Sequence, residues 1–203
     1  MPIESLIALL LASMIVKATP GPGVFATIAQ SVTYGLGTAL WFVLGVMLGD
    51  LFYIVAVLLG LSLIAREFQE IFLAVRLIGG GYLIYLGYRA FVSGATDVVP
   101  AAGRYGSRRA LFNGLLLTLG NPKVILFYVG LMPTFVDLGK LDGADMVVLC
   151  LVLTLDLGAI LSGYALAARR ARRLFTSPSS RRWMNRSAGT VLIGSGVAVI
   201  STS

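Results

Sequence analysis

Long apolar runs separated by short charged connectors make up this chain of 203 residues. Charge-free stretches cover residues 18–49, 51–65, 77–88 and 187–203, and two more, 110–136 and 146–168, are interrupted only by Lys123 and by Asp156. At roughly 20 apolar residues per crossing, the pattern predicts six membrane-spanning helices, over about residues 3–32, 38–64, 72–92, 109–136, 145–168 and 188–200. Two of these helices contain breaks. Pro20-Gly21-Pro22-Gly23 interrupts the first and Gly120-Asn121-Pro122 the fourth, because proline removes an amide donor and glycine loosens the backbone.

Each half of the chain presents the same features in the same order. Lys17 precedes Asp50 by 33 residues and Lys123 precedes Asp156 by the same interval, so the pairs recur at an offset of 106. The proline breaks Thr19-Pro20 and Asn121-Pro122 recur at 102, and Gly80-x-x-Leu83-Ile84-x-x-Gly87 matches Gly189-x-x-Leu192-Ile193-x-x-Gly196 at 109. Any one match is within reach of chance between two apolar segments; the agreement in order and spacing defines the repeat. Three crossings per half is an odd number, so the second half enters the membrane upside down relative to the first, the plan of secondary transporters that work by alternating access. The expected fold is therefore an all-α polytopic membrane protein with six transmembrane helices in two inverted three-helix repeats, helices 1 and 4 being broken at their proline motifs. Residues 1–203 form a single transmembrane domain on this reading, with repeat one at about 1–95, a basic connector at about 96–107 and repeat two at about 108–203.

Composition supports the membrane reading. Hydrophobic residues make up 58% of the chain and charged residues 12%, and the mean hydropathy of +0.92 leaves too little polar surface for a water-soluble domain. The N-terminus, Met1-Pro2-Ile3-Glu4, has no basic residue before its apolar run, where a signal peptide has one, so the first segment is expected to be a retained helix. Histidine is absent and Cys150 is the single cysteine, which excludes a disulfide framework and Cys/His ligation of zinc, haem or iron–sulfur clusters. No cofactor and no bound metal are expected.

The net charge of +7 comes mainly from Arg89, Arg104, Arg108 and Arg109 and from the arginines between Arg169 and Arg186. These bracket apolar spans and lack interleaved stacking aromatics apart from Tyr105 and Trp183, so nucleic acid is not an expected partner. Under the positive-inside rule, the loops at about 93–108 and 169–186 are cytoplasmic, and both termini lie outside. The run in the last loop also suits contact with lipid headgroups.

The chemistry concentrates at the breaks and at the isolated charges. A helix interrupted at membrane depth exposes amides at one end and carbonyls at the other, each end carrying about half a unit charge, and two such breaks facing each other offer a site for a zwitterion or an ion. One proline alone would more simply be a packing kink; two in corresponding positions favour the site. A charge at the bilayer centre costs about 3 kcal/mol on insertion scales, so Lys17, Asp50, Lys123 and Asp156 together would cost about 12 kcal/mol before pairing. A static salt bridge would offset that cost. A carboxylate that loses its lysine during a transport cycle would instead carry a proton or cation. The spacing Gly45-x-x-x-Gly49 directly before Asp50 lets another backbone come close and turns Asp50 toward a neighbouring helix. Tyr82, Tyr85, Tyr88, Tyr128 and Trp41 read as interface or packing aromatics.

Thr19-Pro20-Gly21-Pro22, Gly45-x-x-x-Gly49-Asp50, Gly81-Tyr82-Leu83-Ile84-Tyr85-Leu86-Gly87, Asn113-Gly114 leading to Gly120-Asn121-Pro122-Lys123, Pro133-x-Phe135 and Asn185-Arg186-x-x-Gly189 together resemble the LysE/RhtB family of bacterial amino-acid exporters. The resemblance covers nearly the whole chain. It implies an inner-membrane efflux protein for amino acids or their derivatives, without ATP hydrolysis, coupled to the proton gradient or the membrane potential. The family usually has asparagine directly after Pro-Gly-Pro, where this chain has Gly23, so the first break lacks a side-chain amide that Asn121 supplies to the second.

The expected substrate and ion pathway comprises Lys17, Pro20, Gly21, Pro22, Asp50, Asn121, Pro122, Lys123 and Asp156. Expected partners are a small amino-acid-like solute, a proton or another coupling ion, and the bilayer; assembly as a homo-oligomer is left open. Two rival readings use the same carboxylates. One is export of a divalent cation. The other is a non-transporting membrane subunit or an intramembrane enzyme with an Asp/Asp acid–base pair, against the expectation that the chain is not an enzyme.

Overall fold

The computed structural model describes residues 1–60 and 106–171, together with single positions between 77 and 91 and between 179 and 201. All regular structure among the described residues is helical. The first predicted helix is a bent pair, α1 (Ile3–Ala18) and α2 (Pro22–Tyr34), inclined by 55°. Gly35, at φ 91°, turns the chain within one residue, a left-handed conformation that glycine adopts without steric cost. It leads into α3 (Leu36–Leu58), whose 23 residues are about 35 Å long at 1.5 Å per residue, enough to cross a bilayer.

The fourth predicted helix is also bent, by 61°. It comprises α4 (Ser107–Leu119), α5 (Pro122–Ile125), a π turn at Leu126–Leu131 and α6 (Met132–Phe135). A 3-10 turn, Leu138–Lys140, follows. There Lys140 pairs with Asp137 at 2.8 Å, and that hydrogen bond holds the Asp137 carboxyl below the usual carboxylate range. The chain then enters α7 (Gly143–Ala171), whose 29 residues are about 43 Å long and run past a hydrocarbon core of about 30 Å to the polar end at Arg169 and Arg170. The bounds predicted for helices 3 and 6 lie outside the described residues. Their described positions, including Leu77, Gly87, Gly189 and Val197, are helical, and a Cβ at either Gly87 or Gly189 would stand 2.7 Å from the other's carbonyl oxygen.

Small residues set the packing, as expected where lipid leaves little hydrophobic drive between helices. A Cβ on Gly45 would collide with the Leu111 carbonyl, one on Gly49 would meet Thr118, and one on Gly114 would collide with the Phe42 carbonyl. The Gly45-x-x-x-Gly49 face therefore seats α3 backbone to backbone on α4. The opposite side of α3 presents Leu40, Leu44, Leu48 and Phe52, at four-residue spacing, outward.

Contacts also give the directions of the helices. Residues 45 to 49 advance along α3 as 111 to 118 advance along α4, so this pair is parallel. Ser13 bonds Asp156 and Ser31 bonds Ala165, so the α1–α2 unit runs parallel to α7. Met47 meets Gly158 while Leu58 lies near Met146, so α3 and α7 are antiparallel. It follows that the two broken helices run in opposite directions.

Two apolar clusters fill the interior. One gathers Leu9, Ile54, Val57, Tyr128, Met132, Leu149 and Leu153; the other gathers Val24, Phe42, Val43, Val46, Leu117, Leu157 and Leu161. Ile54 and Val46 flank Asp50 along the chain, Leu153 and Leu157 flank Asp156, and Leu9 and Val24 flank Lys17. The charged layer is thus enclosed by apolar packing on both sides.

Candidate functional site

The site starts from what the prolines leave undone. In an unbroken helix the Ala18 carbonyl would accept from residue 22, but Pro22 has no N–H, and the Tyr164 hydroxyl on α7 donates to that carbonyl at 2.7 Å instead. The Thr19 carbonyl, next in line, accepts from the Lys123 ammonium at 2.6 Å. At the second break, the Lys123 N–H turns to Asn121 Oδ1 at 3.1 Å. The Leu119 carbonyl, which that N–H would otherwise serve, accepts from the Tyr53 hydroxyl of α3. The carbonyls of Ala18, Thr19 and Leu119 are thus each satisfied by a side chain from another element, as a non-aqueous environment demands.

Lys17 holds the charged layer together. Its ammonium lies 3.7 Å from Asp50 and 3.6 Å from Asp156, and it donates to the Leu153 carbonyl at 2.7 Å. All three charged side chains are at most 6% exposed. Asp50 also accepts from the Tyr128 hydroxyl at 2.7 Å, and Asp156 from the Ser13 hydroxyl at 3.0 Å. One lysine from the first half thus bridges carboxylates of both halves. The spacing in the sequence pairs Lys123 with Asp156; in the structure Lys123 reaches the first break, and Asp156 belongs to Lys17.

A cavity of about 50 Å³ opens beside this layer and is lined by residues of both breaks, with room for a few waters. Lys17, Gly21, Pro22, Asp50, Asn121 and Lys123 line it, with Thr19, Gly23 and Thr118. Pro20 sits in the backbone between α1 and α2, and Pro122 opens α5. Asp156 stands behind Lys17, outside the lining. A Cβ added at Gly23 would meet nothing within 4 Å.

The sequence reading missed Tyr128, taken there as a packing or interface aromatic. Its ring is packed and its hydroxyl is a carboxylate ligand. The π turn carries Phe127 and Tyr128 inward, and no local sequence signal marks such a turn. Tyr85, Tyr88 and Trp41 do face outward, whereas Tyr82 lies outside the described residues. Ser13, Tyr53 and Tyr164 were likewise not singled out. Cavity-lining hydroxyls and amides together with two ammoniums and a carboxylate give the site donors and acceptors of both charge signs.

A family model described as LysE type translocator matches residues 14–203. The chain belongs to the LysE family. The family suggested by the Pro-Gly-Pro and Asn-Pro-Lys motifs is thereby shown. This LysE-family chain is 32% identical to an uncharacterized membrane protein of Synechocystis sp., covering 98% of this chain and 97% of that one. It is 26% identical to a homoserine/homoserine lactone efflux protein of Salmonella typhimurium, over 96% and 95% of the two chains. It is 28% identical to a leucine efflux protein of Klebsiella pneumoniae over 71% and 69%. No solved structure matches it. Family membership and the apolar helices together make it a multi-pass membrane protein.

Proposed function

We propose that this protein is a secondary transporter that exports amino acids or amino-acid derivatives across the bacterial inner membrane, driven by the proton gradient or the membrane potential. The observation that carries the reading is Lys17 set between Asp50 and Asp156, beside a cavity lined by both helix breaks. Unpaired, each charge at that depth would cost about 3 kcal/mol; the bridge offsets this while leaving Asp50 on the cavity wall, where a proton or an ammonium group reaches it. The relatives named for efflux of homoserine and of leucine support an amino-acid-like solute.

The opposite directions of the two broken helices support the inverted repeat, with residues of about 1–95 and 108–203 as its halves. So does their environment, since each broken helix packs in parallel on the second helix of the other half. The basic loops at about 93–108 and 169–186 face the cytoplasm on this reading.

The rivals lose ground to Lys17. A divalent cation between the two carboxylates would have to displace an ammonium already there, and an acid–base dyad needs carboxylates sharing a proton rather than a lysine. Everted membrane vesicles carrying Asp50→Asn or Asp156→Asn test the proposal. Efflux is expected to fall at least tenfold in Asp50→Asn and to lose its dependence on pH, whereas parental rates in both variants across a range of pH would overturn the ionisable role.

A further inference from the structure

Resting on the exporter reading, we propose that the cavity selects zwitterionic amino acids with a small, uncharged side chain, Lys123 receiving the carboxylate and Asp50 the ammonium. The two residues line one cavity from different elements, the start of α5 and the middle of α3. The present partner of Lys123 is a neutral carbonyl, that of Thr19. A carboxylate is the stronger acceptor for an ammonium group, so an arriving substrate draws Lys123 away. The Thr19 carbonyl is then free to join Asp50 in holding the substrate's ammonium. Gly21 lies directly beside the Lys123 side chain, where a Cβ would stand 3.5 Å from it, in ordinary contact.

Charge balance excludes the other classes. Lys17 and Lys123 against Asp50 and Asp156 sum to zero, and a zwitterion keeps that sum. A lysine or arginine substrate brings an extra cation, yet Asp50 and Asp156 already share Lys17. A glutamate brings an extra anion, yet the Lys17 ammonium is already bound by two carboxylates and the Leu153 carbonyl. The Thr118 hydroxyl donates to the Gly114 carbonyl and Asn121 Oδ1 accepts from Lys123 N, and both side chains are neutral, so neither supplies the counter-charge that an extra ion would need. The rest of the wall is largely apolar, with Val16, Val24, Val46, Phe127, Leu157 and Leu161 among its residues, a surface that suits an uncharged side chain, and the cavity's small volume favours a short one.

The test uses the full chain in proteoliposomes, with counterflow of radiolabelled valine and, in parallel, of radiolabelled lysine and glutamate. Competitors are unlabelled leucine, threonine, lysine, glutamate, valinamide and isovalerate, the last two lacking the carboxylate and the ammonium. Valine is expected to exchange, with leucine and threonine competing, and the charged or half-masked compounds to compete at least tenfold less well. Lys123→Gln should weaken valine at least tenfold and Lys123→Arg far less. Lysine or glutamate exchanging as well as valine, or valinamide competing as well as valine, would overturn the selection while leaving the exporter standing. Exchange of no amino acid in any arm would remove the exporter reading itself. The competitor panel on the unsubstituted protein decides the matter even if Lys123→Gln does not fold.

Discussion

The Tyr128 hydroxyl donates to the Asp50 carboxylate at 2.7 Å, inside the membrane and beside the cavity. Tyr128 is 1% exposed, and the Lys17 ammonium stands 6.0 Å from its ring centre. A hydrogen bond to a charged group contributes about 1.5–3 kcal/mol, and Tyr128→Phe removes it while keeping the ring that fills the core. The variant should fold with a lowered melting temperature and transport about tenfold more slowly. Thermal unfolding in detergent and initial flux in proteoliposomes check this, and parental values in both would show the bond to be idle.

Lys17 is the shared partner of two carboxylates, so its loss should do more harm than the loss of either acid. Lys17→Met leaves Asp50 and Asp156 facing each other without a cation, and uncoupling a buried pair costs about 3–5 kcal/mol. Little folded protein is expected. Neutralising all three groups, as Lys17→Met with Asp50→Asn and Asp156→Asn, should restore the folded yield while leaving transport absent. Yield on size exclusion separates the two variants. A triple variant no better than Lys17→Met would show that the ion cluster serves more than charge balance.

The glycine contact between α3 and α4 makes a contrast with a glycine in the open. Gly114→Ala drives a methyl into the Phe42 carbonyl, and overpacking of that kind costs about 1–3 kcal/mol or more. Gly163→Ala on α7 meets nothing within 4 Å and should be neutral or raise stability by up to about 1 kcal/mol through helix propensity. Melting curves of the two variants in the same detergent should therefore move in opposite directions, or the second not at all.

Backbone chemistry made the breaks legible in the residues themselves. Pro20 and Pro22, or Pro122 after Gly120-Asn121, interrupt a helix whatever surrounds it, because a missing N–H is a local fact. The boundaries reflect this: α1 ends at Ala18 and α2 begins at Pro22, against a predicted break at residues 20–23, and α4 ends at Leu119, against one at 120–122. The burial of Asp50 was legible for a similar reason, since the glycines beside it leave one face of α3 without side chains.

The chain's pattern alone thus determined the membrane-spanning character, the broken helices and the burial of Lys17, Asp50 and Asp156, though not that Lys123 is only partly buried, and the chain's motifs carried the resemblance to the family. Only the tertiary structure decided which charge meets which. Spacing pairs each lysine with the aspartate 33 residues on, yet Lys17 serves both acids and Lys123 serves the Thr19 carbonyl. Those partners depend on α1 lying parallel to α7, on the rotation of helices that are apolar nearly all round, and on the π turn that carries Tyr128 inward. In helices whose every face is apolar, hydrophobic periodicity holds little information about orientation, and partner choice passes to small-residue contacts between segments far apart in the chain.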